Sequence, residues 1–220
     1  MIVDERVVTF INSLDTENIE ILEEIEREAR ASSVPVIRRE MQSFLKALLL
    51  IKKPMRVLEV GTAVGFSALL MSEYVPEGCR ITTIENYEKR IPIARENFRR
   101  AGKEEMITLI EGDASEVLRD LEGPYDFIFM DAAKGQYIHY LPDVLRLLED
   151  GGCLVSDNVM QDGEIFESRF AVERRSRTIH ARMREYLYEL KHNKELTTSI
   201  IPLGDGVALS VKGKYNEQTS

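Results

Sequence analysis

Five short apolar runs recur through the middle of the chain, at residues 56–60, 80–84, 106–110, 125–130 and 153–156. The first four are each followed by a stretch of helical periodicity, at 66–74, 88–101, 115–121 and 137–148. Brief apolar runs alternating with amphipathic helices mark crossover units, and therefore an α/β domain with a mainly parallel sheet. Upstream, residues 15–30 read as an acidic surface helix with a thin stripe of Ile19, Leu22, Ile25 and Ala29. Pro35 interrupts the pattern. Residues 39–51 resume it with Met41, Phe44, Leu45, Leu48 and Leu49, and Lys52-Lys53-Pro54 closes that helix at the negative end of its dipole. The last third departs from this rhythm. Residues 168–190 read as one long helix carrying Phe170, Ile179, Met183, Tyr186, Leu187 and Leu190. Strands at 197–202 and 207–212 follow, joined by Leu203-Gly204-Asp205-Gly206, where Asp-Gly is a tight-turn signal for an antiparallel addition to the sheet. Residues 216–220 read as a frayed tail.

At 220 residues the chain suits a single domain spanning 1–220, with the helices of about the first 53 residues as a cap. Hydrophobic residues at 44% and charged residues at 30% are ordinary for a globular protein. No apolar run approaches the roughly 20 residues that cross a bilayer. Asp4 and Glu5 replace the basic start of a signal peptide, and Cys79 and Cys153 are too few for a disulfide framework, so a cytoplasmic location is expected. A net charge of −9 argues against general coating of nucleic acid. The average conceals an asymmetry: residues 1–30 hold nine acidic and three basic residues, whereas 165–184 hold six arginines against Glu167 and Glu173. That stretch reads equally as a local anion-binding surface or as the solvent face of a helix.

Candidate chemistry gathers where the strands end. Glu59-Val60-Gly61-Thr62-Ala63-Val64-Gly65-Phe66-Ser67 takes a buried strand through a glycine turn into a helix, the place where α/β domains form pockets. It lacks the dinucleotide spacing and the Gly-Lys-Ser/Thr of a polyphosphate loop. Glu59 suits a cationic amino-acid group, directly or through water. Glu85, ending the second strand, suits the two hydroxyls of a ribose; Asp113, after the third, suits a base edge; Ser67 suits a carboxylate. Asp131 and the pair Asp157-Asn158 end two further strands and offer three oxygen ligands, a set matched to Mg²⁺ or Mn²⁺. His139, His180 and His192 read as surface or helix residues rather than zinc ligands.

These segments resemble the S-adenosylmethionine-dependent class I methyltransferases, and within them the metal-dependent catechol and caffeoyl-CoA O-methyltransferases. The resemblance rests on residues 59–67, on Glu85, on Gly112-Asp113-Ala114, on Asp131-Ala132-Ala133-Lys134-Gly135-Gln136-Tyr137 and on Asp157-Asn158. It implies a Rossmann-like three-layer sandwich whose mainly parallel, seven-stranded sheet has a reversed last strand. It also implies S-adenosylmethionine at Val36, Glu59, Gly61, Gly65, Ser67, Glu85, Asp113, Ala114 and Asp131. The metal ligands would be Asp131, Asp157 and Asn158, with Lys134 as general base or electrostatic partner, and a homodimer is expected.

Within that group the bacterial tRNA 5-hydroxyuridine methyltransferases are the nearest resemblance, through residues 131–137, Arg177-Thr178-Ile179, Arg184-Glu185-Tyr186-Leu187 and Pro202-Leu203-Gly204-Asp205-Gly206. The implied reaction converts wobble 5-hydroxyuridine to 5-methoxyuridine in a tRNA anticodon loop. 5-Hydroxyuridine sets its hydroxyl beside the C4 carbonyl, a two-oxygen edge like that of a catechol, and an exposed wobble base avoids the cost of opening a duplex. Arg38, Arg39 and the arginines from Arg169 to Arg184, chiefly Arg174, Arg175 and Arg177, are the candidate RNA contacts. Small catechol-like acceptors are the alternative, and a non-catalytic S-adenosylmethionine-binding protein is a third reading that the complete metal and lysine set disfavours.

Overall fold

The computed structural model describes residues 2–168 and 170–213; Arg169 and the tail expected at 216–220 lie outside the described residues. Three helices come first: α1 (Glu5–Ser13), α2 (Glu20–Ala31) and α3 (Arg39–Lys52). The alternating region follows as β1 (Arg56–Val60), α4 (Phe66–Ser72), β2 (Arg80–Glu85), α5 (Ile91–Arg100), β3 (Ile107–Glu111), α6 (Ala114–Asp120), β4 (Tyr125–Met130), α7 (Tyr137–Leu147) and β5 (Leu148–Ser156). The chain ends with α8 (Arg177–His192), β6 (Leu196–Ile201) and β7 (Val207–Lys212). The seven strands form one sheet in the order β3-β2-β1-β4-β5-β7-β6. The first five are parallel; β7 runs antiparallel to both β5 and β6. This is the sheet expected from the sequence, with its reversed final strand.

The pleat divides the core into two clusters and makes the third layer. On β4, Phe127 and Phe129 face one side, with Leu22, Leu45, Leu69 and Phe98 from α2 to α5. Ile128 and Met130 face the other, with Leu118, Tyr137, Val144 and Met183 from α6 to α8. Strand β5 begins five residues before the expected 153, because the Gly151-Gly152 pair is absorbed as a register shift against β4 rather than ending a loop.

Two helices differ from expectation. The single helix expected over 168–190 is instead 3₁₀ turns at Gln161–Phe166, an irregular stretch, and α8 starting only at Arg177. Phe170, counted among the apolar positions of that helix, is 88% exposed, and the Arg177 side chain turns back to bond the Val172 carbonyl at 3.2 Å. The helix expected to open at residue 15 begins at Glu20, because the backbone of Asn18 donates to Glu23 and its side chain donates to Gln42 at 2.9 Å. Helix α1 was unforeseen, although Asp4 caps it through the Arg6 N–H and Val7, Phe10, Ile11 and Leu14 repeat at helical spacing. No helix among the described residues is long and apolar enough to cross a membrane.

Arg39 is corrected here as an RNA contact. Its guanidinium forks onto Glu23 at 2.6 and 2.9 Å and reaches the buried Glu26 at 3.1 Å, tying α2 to α3. A fork already closed on a carboxylate is not offered to phosphate. Arg39→Ala should therefore destabilise the protein by about 1.5–3 kcal/mol, the typical worth of hydrogen bonds to charged groups. Urea unfolding of parent and variant measures it, and an unchanged midpoint would show that the pair does not hold the cap.

Candidate active site

Each central strand ends by passing its backbone ladder one residue further. Gly61 N–H donates to Ile84 O at 3.1 Å, Asp131 N–H to Val60 O at 3.0 Å and Asp157 N–H to Met130 O at 3.0 Å. Residues that leave β1, β4 and β5 are thus held level with one another at the carboxyl edge. There the chain encloses a cavity of about 690 Å³, bounded on its other sides by residues 35–38 between α2 and α3 and by the turn between β6 and β7.

One side of the cavity is the glycine turn. Gly61 has φ of +102°, and a Cβ there would overlap the Asp131 carbonyl, so only glycine lets the turn pass. The Ala63 N–H donates to Glu85 Oε2 at 2.7 Å, while the N–H groups of Asn86 and Tyr87 donate to Oε1 at 3.0 and 2.9 Å. Glu85 is thereby fixed at the cavity wall. Val36, Gly61, Glu85, Ala114 and Asp131 line this space as expected.

Three expected cofactor residues, Glu59, Gly65 and Ser67, are buried behind the wall instead, and a fourth, Asp113, is exposed and outside the lining. Glu59 is 0% exposed and takes the hydroxyl hydrogens of Ser67 and Thr83, so Ser67 points down to Glu59. Gly65 gives passage to the Phe98 ring, which a Cβ at 2.5 Å would strike. Asp113 caps α6, accepting the Ser115 N–H at 2.8 Å and its hydroxyl at 2.5 Å, and these bonds hold its carboxyl below its ordinary range. Burial pushes Glu59 up to about 8, against the two hydroxyl donors and with the help of Asp131 and Glu85. Tyr87, Arg90 and Tyr140 also line the cavity, with the Arg90 guanidinium 5.3 Å from the Tyr87 ring centroid. Nothing in the local sequence marks these three, since each lies inside or just before a helix whose pattern explains it.

The second side is acidic. Asp131, Asp157 and Asn158 come together, the Asn158 amide nitrogen lying 3.5 Å from Asp131 Oδ1 and the Asn158 N–H donating to Asp157 Oδ1 at 2.7 Å. Asn158 takes φ of +58°, which turns its side chain back beside its neighbours. Burial first, then the charge of Asp131, pushes Asp157 up to about 7; burial also raises Asp131. Tyr137, fully buried, supports the group from below: its hydroxyl lies 3.0 Å from Met130 O and 3.2 Å from Asp157 O. Lys134 lines the same wall, with Nζ 3.7 Å from Oδ2 of Asp205. Asp205 was read as a turn residue and as part of the resemblance at 202–206, with no role in the site, and its place on the wall comes from the sheet order.

The candidate RNA contacts are scattered in role. Arg38 lines the cavity and approaches Asp162 at 3.5 Å. Arg175 pairs with Glu173 at 2.8 Å, and Arg174 is exposed. Arg177, Arg182 and Arg184 each donate to a backbone carbonyl, those of Val172, Gly135 and Ile165, and so hold irregular segments in place. His180, expected at a surface or on a helix, is on α8 and buried, with Nε2 3.2 Å from Glu167 O.

The sequence profile of the O-methyltransferase family matches residues 12–213. A caffeoyl-CoA O-methyltransferase of Populus kitakamiensis is 31% identical over 183 residues, covering 80% of this chain and 77% of that protein. A catechol O-methyltransferase of Niastella koreensis is 34% identical over 128 residues; the match spans 56% of this chain and 58% of that relative's length. Among solved structures, the Podospora anserina methyltransferase PaMTH1 bound to SAH superposes with a TM-score of 0.86 at 26% identity, covering 96% of this chain and 95% of that one.

The buried Glu59 generates a pH test. Its value in the folded protein, about 8, lies above the ordinary 4.5, so its contribution to stability is full below about 4.5 and is lost as pH rises through about 8. Glu59→Gln mimics the protonated acid and has no such slope. Urea unfolding between pH 5 and 8.5 should show parent stability falling more steeply than that of the variant; parallel curves would mean that Glu59 is ionised throughout.

Proposed function

The chain belongs to the O-methyltransferase family, and from that premise we propose that it moves the methyl group of S-adenosylmethionine to one oxygen of a two-oxygen acceptor edge, assisted by a divalent cation. The observation that carries this reading is the meeting, in one cavity, of a glycine turn backed by Glu85 with the trio Asp131, Asp157 and Asn158 beside Lys134. Glu85 faces a ribose with both oxygens already aligned by three backbone N–H groups, leaving further lone pairs for hydroxyl donors.

The residues fit a hard cation. Burial raises the proton affinity of both carboxylates and the charge of Asp131 raises that of Asp157 further, and an amide group completes an all-oxygen set. No group of three or more His, Cys, Asp or Glu among the described residues makes a competing metal site. The chemistry that Mg²⁺ or Mn²⁺ supplies when bound there is positive charge beside the acceptor oxygens, which makes a hydroxyl easier to ionise. Lys134 Nζ receives that hydroxyl's proton or stabilises the anion left behind. Gly61, Glu85 and Ala114 orient the donor against the acceptor, and residues 35–38 exclude water above them, so that the remaining barrier is lowered by alignment.

A catechol-like small molecule is the acceptor best supported, because most of the arginine surface is spent on internal bonds and two named relatives carry out catechol or caffeoyl-CoA methylation. The wobble 5-hydroxyuridine of tRNA is the second reading. It is favoured by exposed Arg174 and Arg175 and by Arg38 on the cavity wall, and it offers the same two-oxygen edge. A homodimer belongs to the same proposal.

Two measurements test the reading. Glu85→Gln, which keeps one acceptor oxygen for the backbone N–H groups, should weaken S-adenosylmethionine binding about tenfold or more in calorimetry, whereas Glu85→Ala should in addition lower the unfolding midpoint by leaving those donors unpaired. Incubation with labelled S-adenosylmethionine, Mg²⁺ and either 3,4-dihydroxybenzoic acid or tRNA bearing 5-hydroxyuridine identifies the acceptor. Turnover should fall at least about a hundredfold with chelator or in Asp131→Ala. Full turnover without metal would sink the metal-assisted mechanism, and cofactor binding without methylation of either acceptor would favour the non-catalytic reading.

A further inference from the structure

The turn between β6 and β7 reaches across the sheet edge and grips the segment that follows the acidic trio. Val159 N–H donates to Gly206 O at 3.0 Å and Met160 N–H to Asp205 O at 2.9 Å. The Asp162 N–H donates to the Asp205 side chain at Oδ1. Gly206, with φ of +83°, allows this closeness, since a Cβ there would overlap the Met160 side chain.

The gripped segment would not hold itself. Asn158, Gln161 and Asp162 all take left-handed φ, at +58°, +49° and +51°, and Gly163 follows at +95°. Left-handed backbone is strained for non-glycine residues, so it persists only where neighbours impose it. The other oxygen of Asp205, Oδ2, faces Lys134 Nζ at 3.7 Å. Asp205 is 4% exposed, whereas the Lys134 side chain retains 34% exposure and many rotamers of its own. A sheltered carboxylate fixed by a backbone donor therefore acts as an anchor, and the long lysine is the mobile partner.

We propose that Asp205 is a positioning residue: one carboxylate oxygen holds, at the Asp162 N–H, the segment that follows Asp157 and Asn158, the other faces Lys134 Nζ, and the two halves of the acceptor site are thereby kept at one spacing. The proposal rests on the reading of Lys134 given above. Asp205 lines the cavity together with Lys134, Asp157 and Asn158. Its two oxygens have separable tasks. Asp205→Asn keeps an acceptor for the Asp162 N–H and removes the charge that faces Lys134; Asp205→Ala removes both.

The first test needs neither metal nor turnover. Reductive ¹³C-dimethylation of the metal-free protein labels every lysine, and the Lys134 signal is the one missing in Lys134→Met. In the parent it should be displaced from the exposed-lysine envelope, and in Asp205→Asn it should move into that envelope. Asp205→Asn should leave the unfolding midpoint within about 2 °C, while Asp205→Ala lowers it further. With the acceptor that the parent methylates, Asp205→Asn should cut kcat about tenfold with KM within twofold. In the Lys134→Met background the same change should produce no further loss, because a residue acting through Lys134 has nothing left to position. A Lys134 signal unmoved by Asp205→Asn, or equal losses in both backgrounds, overturns the proposal. Full activity of Lys134→Met instead overturns the role given to Lys134, and the signal of Lys134 then decides the anchor separately.

Discussion

Parallel pairing of β1 with β2, β4 with β1 and β5 with β4 is the constraint from which the site follows. Val60 lies level with Ile84 and with Met130, and Met130 lies level with Ser156. Because the next residue in β1, β4 and β5 still donates to the neighbouring strand, Gly61, Asp131 and Asp157 are placed by the sheet and not by their loops. A slip of one residue in any of these pairs would turn the side chain after the strand to the opposite face and leave Phe127 and Phe129 misplaced in the core. The hydrophobic alternation that secures the core therefore also secures the chemistry.

Gathering carboxylates at such an edge opposes folding electrostatically, and the protein meets this in different ways at different depths. At the bottom, Glu59 lies between two hydroxyls at the expense of its ionisation. At the wall, Glu85 takes three backbone N–H groups. On the acceptor side, Asp131 and Asp157 have only an amide, a few backbone groups and the charge of Lys134 to offset one another. The least compensated acids are thus those at the cavity wall beside Lys134.

Most of the fold was legible in the sequence because the parallel strands are nearly unbroken apolar runs and the glycine turn is confined to a few residues. The reversed final strand and the lining by Gly61, Glu85, Ala114 and Asp131 could be read in advance. Contacts between distant segments could not. Asp205 sits in a good turn sequence, and only the insertion of β7 beside β5 brings it to Lys134. The arginine-rich stretch misled for a related reason: local composition records charge but not whether a guanidinium is spent on a carbonyl of its own chain. Glu59 and Ser67 were expected to bind the cofactor, yet composition could not tell a residue in the wall from one sealed beneath it.

The crowding of Gly61 against the Asp131 carbonyl has a consequence for how such a protein can change over generations. The glycine turn and the strand end bearing Asp131 meet there without room for a single methyl group. A substitution that enlarges the glycine turn must also displace the backbone bearing Asp131, so the two walls cannot drift apart one mutation at a time. Variation is left instead to the segments that close the cavity from outside the parallel strands, residues 35–38 and the turn at Gly204 and Asp205. Those segments carry no strand register, so side chains there can change without moving Gly61 or Asp131.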